Sequence, residues 1–258
     1  MIGLGTSTLK LLAAFFMLCS HIAVYIPYAP IWLDWIGRLS FPLYVFCLAW
    51  GIDYTRNIKK YRLRLYLAGA FMGIGSYLLN ISFPSLRHPI SENIFPTLFL
   101  TVELVSFLKS FKNDKKKTFP YLLLFSSIQV LSVFCYKLIL ENSKVSALLF
   151  LAIVPNILFC EGSIIFVLFG VAIYFIKNNR ELFIKIYISF SLLWLILAGF
   201  NGFNYQSFFV YQYQWMMIAA LPLMLHFNKK ERIYISSIFF YLFYPLHIYI
   251  LFIMQKLF

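Results

Sequence analysis

Residues 9–57 decide the fold. They run LKLLAAFFMLCSHIAVYI over 9–26, break at Pro27 to Pro30, and resume as IWLDWIGRLSFPLYVFCLAWGIDYTRN over 31–57. A bilayer crossing needs about 20 mostly apolar residues, so two spanning segments follow one another here. Each holds polar groups that a lipid-exposed helix excludes. Lys10 and His21 stand eleven positions apart, about three turns at 3.6 residues per turn, so they share one helix face. Arg38 lies inside the second segment, just before Ser40-Phe41-Pro42. An ionisable group in such a span costs roughly 2.5 kcal/mol or more, so these residues mark a functional interior.

The remaining chain reads as a scaffold around them. Of its 258 residues 62% are hydrophobic and 21% aromatic, a composition that excludes an ordinary soluble domain. Apolar runs fall at about 9–27, 32–53, 63–81, 93–109, 119–139, 145–159, 162–177, 183–200, 208–226 and 234–255. The expectation is one all-α polytopic domain over residues 1–258, a transmembrane helical bundle of about nine to ten spans. The net charge of +13 sits in short loops at Arg56–Arg64, Lys109–Lys117, Lys177–Lys185 and Lys229–Arg232. That is the pattern of cytoplasmic loops, not of a nucleic-acid surface. With the N-terminus inside, parity holds if 145–159, which is short and contains Pro155-Asn156, re-enters rather than crosses. Nine true spans and an outward C-terminus follow. The abundance of Lys, Ile, Phe and Asn suits an AT-rich bacterial genome, and the expected location is the bacterial cytoplasmic membrane.

This orientation sets depths. Arg38 falls about 9 Å below the outer end of its segment and His247 about 20 Å from the inner start of the last one, at 1.5 Å per residue. His21 lies in the same outer half, and Asn93 and Glu161 stand near the outer ends of their segments. Five polar groups from separate segments therefore share one level. His21 suits a general base, and Arg38, which cannot discharge, suits an oxyanion or a phosphate. Lys10 alone reads as a helix-end snorkeler. His247 follows Pro245, a helix-kinking residue, with Tyr244 one turn before it. Asp34, four residues before Arg38, is spaced to pair with and orient the guanidinium. Glu103, deep within its span, needs a partner and could equally belong to a structural ion pair, and Asn93 stands where it caps or packs its helix. Cys19, Cys47, Cys135 and Cys160 form no CxxC pair and read as small hydrophobes, so no metal is expected. Walker A, GxSxG, HExxH and dinucleotide-binding glycine motifs are absent, which removes support for nucleotidases, serine hydrolases and metalloproteases. From the residues alone, acyl transfer, transport of an anion or protons, and a non-catalytic partner role stay open. No inverted repeat or pair of broken segments, the mark of many transporters, is visible.

These residues carry a resemblance. Lys10-x10-His21, Gly37-Arg38-x-x-Phe41-Pro42-Leu43, Trp50-Gly51, Asn93-Ile94, Glu161-Gly162 and Phe243-Tyr244-x-x-His247, in that order, resemble the TraX family of integral-membrane pilin acetyltransferases. The likeness extends more distantly to the acyltransferase-3 superfamily. It implies transfer of an acetyl group from cytoplasmic acetyl-CoA to an acceptor on the outer face: a pilin-like peptide amine or a glycan hydroxyl. Lys10 and His21 map to the family's basic residue and histidine, and Arg38 to the arginine of its second span. Lys10 would face the CoA side and His21 and His247 the acceptor side, with Ser20, Asp34, Asn93, Glu161 and Tyr244 as binding residues. One departure stands out. The family places Asp immediately before the first-span histidine, where this chain has Ser20, so Asp34 or Glu161 is the candidate to supply that charge.

Overall fold

The computed structural model describes residues 4–84, 88–200, 202–229 and 235–257. The connections expected at Ser82–Glu92, Asn201–Gln206 and Lys229–Arg232 therefore lie partly outside the described residues. In order, the helices are α1 (Thr6–Tyr25), α2 (Trp32–Gly37), α3 (Ser40–Tyr54), α4 (Ile58–Ser82), α5 (Ile94–Asn113), α6 (Lys115–Asn142) and α7 (Lys144–Ile153). Then come α8 (Ser163–Ile176), α9 (Arg180–Gly199), α10 (Leu221–Leu225) and α11 (Ser237–Met254). A π-turn at Ser207–Tyr211 and a 3₁₀ segment at Gln214–Ala220 precede α10. Among the described residues there is no strand, and one isolated bridge joins Leu4 to Phe227. The fold is all-α and polytopic.

Among the described residues seven helices are long and apolar enough to cross a membrane: α1, Trp32–Tyr54 taken through its break, α4, α5, α6, α9 and Ser237–Leu257. The crossings expected at 162–177 and 208–226 are built differently. α8 has 14 residues, about 21 Å at 1.5 Å per residue, against a hydrocarbon core of about 30 Å. The 208–226 run is not one helix but the π, 3₁₀ and α10 pieces in succession. The basic stretch Lys109–Lys117 is helical on both sides of Asp114, whose carboxylate accepts from Lys117 N and so caps α6. Ser143 likewise accepts from Ser146 N at the start of α7. Each turn is thus compressed to one capping residue, which supplies the acceptor that orphan helix N–H groups need.

The chain forms two compact units. One comprises Met1–Trp50 with Phe175–Phe258, the other Gly51–Tyr174. The first is packed around Leu9, Ala13 and Met17 of α1, Leu43, Val45 and Phe46 of α3, Tyr187 of α9, Met217, and Ile248 and Phe252 of α11, all buried. Ser40 Oγ donates to the Ala13 carbonyl over 2.9 Å and ties α3 to α1.

The second unit packs α4 on α5 and α7. A Cβ at Gly73 would stand 2.1 Å from that of Ala152, so only glycine lets α4 and α7 approach so closely. The 145–159 run is a short helix, α7, followed by irregular backbone. Gln129 and Ser132 of α6 receive that backbone. Gln129 Oε1 accepts from Ile157 N at 2.8 Å, its Nε2 donates to Pro155 O at 3.0 Å, and Asn156 Nδ2 donates to Ser132 Oγ at 2.7 Å. Irregular backbone at membrane depth survives only when protein or water satisfies it. The opposite surface of α6 exposes Leu123, Leu124, Val130, Leu131, Phe134 and Leu138, the inversion expected of a lipid-facing helix. Arg62 is the partner that Glu103 requires, at 2.7 Å.

Candidate active site

In the first unit α1 and α11 bring His21 and His247 together. Both rings are buried, 7% and 6% exposed. His21 Nδ1 lies 2.7 Å from His247 Nε2, and His247 Nδ1 lies 2.6 Å from the Phe243 carbonyl oxygen one turn earlier. A carbonyl only accepts, so His247 carries its proton on Nδ1. In the neutral ring Nε2 is then an acceptor, and it takes the Nδ1 proton of His21. That leaves Nε2 of His21 with a free lone pair, the tautomer a general base requires. Aromatic rings surround the pair. Phe243 stacks on His247 at 4.8 Å, while Tyr244 stands 6.1 Å and Tyr25 6.4 Å from the His21 ring.

One residue before His21, a polar network begins. Ser20 Oγ donates to Asp34 Oδ1 at 2.8 Å. Arg38 Nη2 pairs with the same oxygen at 3.1 Å, the four-residue pairing the spacing predicts. Longer contacts of 3.4 Å run from Arg38 Nη2 to Ser20 Oγ and from Nη1 to Gln214 Oε1. Tyr213 Oη donates to Asp34 Oδ2 at 3.2 Å, and its ring lies 5.0 Å from the guanidinium carbon. Asp34 thus receives hydrogen bonds from three side chains, as an ionised carboxylate can. A carboxylate therefore does stand beside residue 20, supplied by α2 instead of by residue 20 itself.

Gly37 makes this possible. A Cβ there would fall 2.3 Å from Ser20 Cβ, so the break between α2 and α3 lies directly against α1. The side chain of Arg38 keeps 30% exposure, leaving part of its donor fork accessible.

Not every sequence candidate joins this cluster. Lys10 is on α1 with Nζ 5.6 Å from the Phe240 ring, and eleven residues of helix separate it from His21, about 16 Å along the axis. Asn93 and Glu161 belong to the second unit. There Asn93 Nδ2 donates to Gly69 O at 2.9 Å and Thr97 Oγ1 to the Glu161 carbonyl at 2.7 Å. Asn93 occupies the N-cap of α5 without a side-chain capping bond. Both line a cavity of about 200 Å³, with Asn80, Asn156 and Cys160. Tyr213, Gln214 and the Phe243 carbonyl are the functional groups that sequence reading missed. The polar tetrad Gln212-Tyr213-Gln214-Trp215, set within an apolar run, was the available signal. Among the described residues no group of three or more His, Cys, Asp or Glu is placed to hold a metal ion.

No curated protein and no solved structure matches the chain. The family model described as TraX protein matches residues 5–255, and the chain belongs to the TraX family.

Proposed function

We propose that this TraX-family membrane protein transfers an acetyl group from acetyl-CoA at the cytoplasmic face to an extracytoplasmic acceptor. Family membership associates it with pilin modification, so an N-terminal amine of a pilin or peptide is the first acceptor to try, and a glycan hydroxyl the second. The protein sits in the bacterial cytoplasmic membrane with its N-terminus inside. The observation that carries the reading is the buried imidazole pair, with His21 Nδ1 held 2.7 Å from His247 Nε2.

The step balances on these residues. The acceptor nitrogen or oxygen attacks the thioester carbonyl carbon, and His21 Nε2 takes the acceptor's proton. A C–N or C–O bond forms, the C–S bond breaks, and His21 returns the proton to the departing CoA thiolate. The charge His21 carries in transit is shared through His247 with the Phe243 carbonyl. Such a base contributes roughly 10²- to 10⁴-fold in rate. Arg38, oriented by Asp34 and Ser20, directs its one remaining N–H, on Nη1, at the oxyanion, a role that can be worth about 10²- to 10³-fold. Tyr244 walls the acceptor side.

The test is acetyl-CoA turnover by purified protein in nanodiscs, with a free-amine peptide as acceptor and acetylated product followed by mass spectrometry. His21→Ala is expected to lose turnover at least about 100-fold while inserting normally. Undiminished turnover would remove His21 from the mechanism.

A further inference from the structure

We infer that Gln214 is a further catalytic residue: beside Arg38, its side-chain N–H donates to the thioester carbonyl oxygen as that oxygen becomes an oxyanion. The inference rests on the acyltransferase reading above. Most hydrogens around Arg38 are already engaged. Ser20 and Tyr213 each give their single O–H to Asp34, at 2.8 and 3.2 Å. Arg38 directs its donors at the Asp34 carbonyl, Asp34 Oδ1, Ser20 Oγ and Gln214 Oε1, which leaves one N–H on Nη1.

Gln214 differs from its neighbours. A guanidinium only donates, so the carboxamide atom facing Arg38 Nη1 is the oxygen, and that fixes which atom is Nε2. Among the described residues one of the two Nε2 hydrogens is engaged, over 3.7 Å with Met217 Sδ, and a thioether is a weak acceptor. The other hydrogen is open. One open N–H on Arg38 and one on Gln214 thus belong to groups already in contact, 3.4 Å apart. That contact is longer than the roughly 2.7–3.2 Å of a well-formed bond, so it yields readily to a charged acceptor. As the acceptor nucleophile attacks, the carbonyl π pair moves onto oxygen and both N–H groups hold its charge. The pair returns to re-form C=O when the C–S bond breaks, and neither donor gives up its proton.

The backbone fixes Gln214 at this place, within the first unit. It opens the 3₁₀ segment Gln214–Ala220. Just before it, Trp35 Nε1 donates to Phe209 O at 2.8 Å and Trp215 Nε1 to Phe208 O at 3.0 Å. Just after it, Met217 is fully buried and its carbonyl accepts from Tyr187 Oη at 2.5 Å. Only the terminal amide has to turn, and donors held on a fixed frame need little reorganisation when charge develops. Gln214 and Arg38 are both half-buried, which leaves the pair open to a substrate.

The experiment is infrared difference spectroscopy of acetyl-CoA, isotopically labelled at its thioester carbonyl carbon, bound to the full chain in nanodiscs. His21→Ala serves as the parent, to keep the thioester intact. A hydrogen bond to a carbonyl lowers its stretching frequency. The bound band should therefore rise in Gln214→Met, which has neither donor nor acceptor, and in Gln214→Glu, which keeps an acceptor for Arg38 but has no N–H. With His21 present, each variant should lower kcat of peptide acetylation about 10²-fold and leave KM little changed.

If Gln214→Glu leaves the band where the parent has it, Gln214 does not touch the carbonyl; the inference is wrong and the acyltransferase reading survives. A kcat lost in Gln214→Met but kept in Gln214→Glu would make Gln214 a positioning residue for Arg38 and overturn the inference in the same way. If acetyl-CoA gives no bound band in wild type or parent, both are wrong.

Discussion

Mutating His247 to Ala tests the imidazole pair most sharply, because its magnitude follows from a chain of two contacts. His247 Nε2 is the acceptor that keeps the His21 proton on Nδ1, and the Phe243 carbonyl keeps the His247 proton on its own Nδ1. Removing the ring frees His21 to adopt the other tautomer and strips the contact that shares its positive charge in the transition state. A hydrogen bond to a charged group is worth roughly 1.5–3 kcal/mol. At 1.36 kcal/mol per decade, turnover should fall about ten- to a hundredfold. His21→Ala should cost more, roughly 10²- to 10⁴-fold, since it removes the base itself. The double variant should be no slower than His21→Ala alone, because His247 acts only through His21. His247→Gln, whose amide oxygen can accept from His21, should recover part of the loss. The assay is initial rate of peptide acetylation in nanodiscs, normalised to correctly folded protein by size-exclusion profile. A double variant slowed by the product of the two single effects would refute the reasoning, for it would mean the histidines act independently.

Other outcomes follow from the same contacts. Ser20→Asp sets a second carboxylate against Asp34, a repulsion of about 4 kcal/mol at 4 Å and an effective dielectric of 20. The melting temperature in detergent should therefore fall, and the swap Ser20→Asp with Asp34→Ser should restore it. Gly37→Ala drives a Cβ to 2.3 Å from Ser20 Cβ, so α1 and α2 must part at a cost of about 1–3 kcal/mol, read as lost thermal stability together with lost turnover. In the second unit, Asn156→Ala orphans Gln129 and Ser132 contacts and the backbone at Leu158. Faster proteolysis after Val154 should report the loosened segment while acetyl-CoA binding by the first unit persists.

How much of this was readable in advance varies by element. The helical, membrane-spanning character follows from the apolar runs, and the Asp34–Arg38 pair follows from helix periodicity. The short helix and irregular backbone of 145–159 follow from its length and its Pro155-Asn156 break. The polar anchors on α6 that hold it were not legible, because Gln129 and Ser132 look unremarkable inside an apolar helix. His21 and His247 are 226 residues apart. Depth placed them at one level, but only packing could show that their nitrogens meet. Asn93 and Glu161 were at the same expected level, yet depth says nothing of lateral position, and they fall in the other unit.

The absence of broken segments was a misreading. The Trp32–Tyr54 crossing is interrupted at Arg38–Leu39 and the 207–225 stretch changes helix type twice. Both breaks deliver side chains, Arg38 from one and Tyr213 and Gln214 from the other, to a single network. Broken crossings of this kind serve transporters as well as enzymes, so function must be decided by what crosses or reacts.

That decision rests on one measurement. Acetyl-CoA is supplied on one side of sealed proteoliposomes and a free-amine peptide is enclosed on the other, with acetylated peptide and free CoA quantified together. The account predicts acetylated peptide inside and an equal amount of free CoA outside, both abolished by His21→Ala. Intact acetyl-CoA appearing inside, or product formation indifferent to His21, would contradict it.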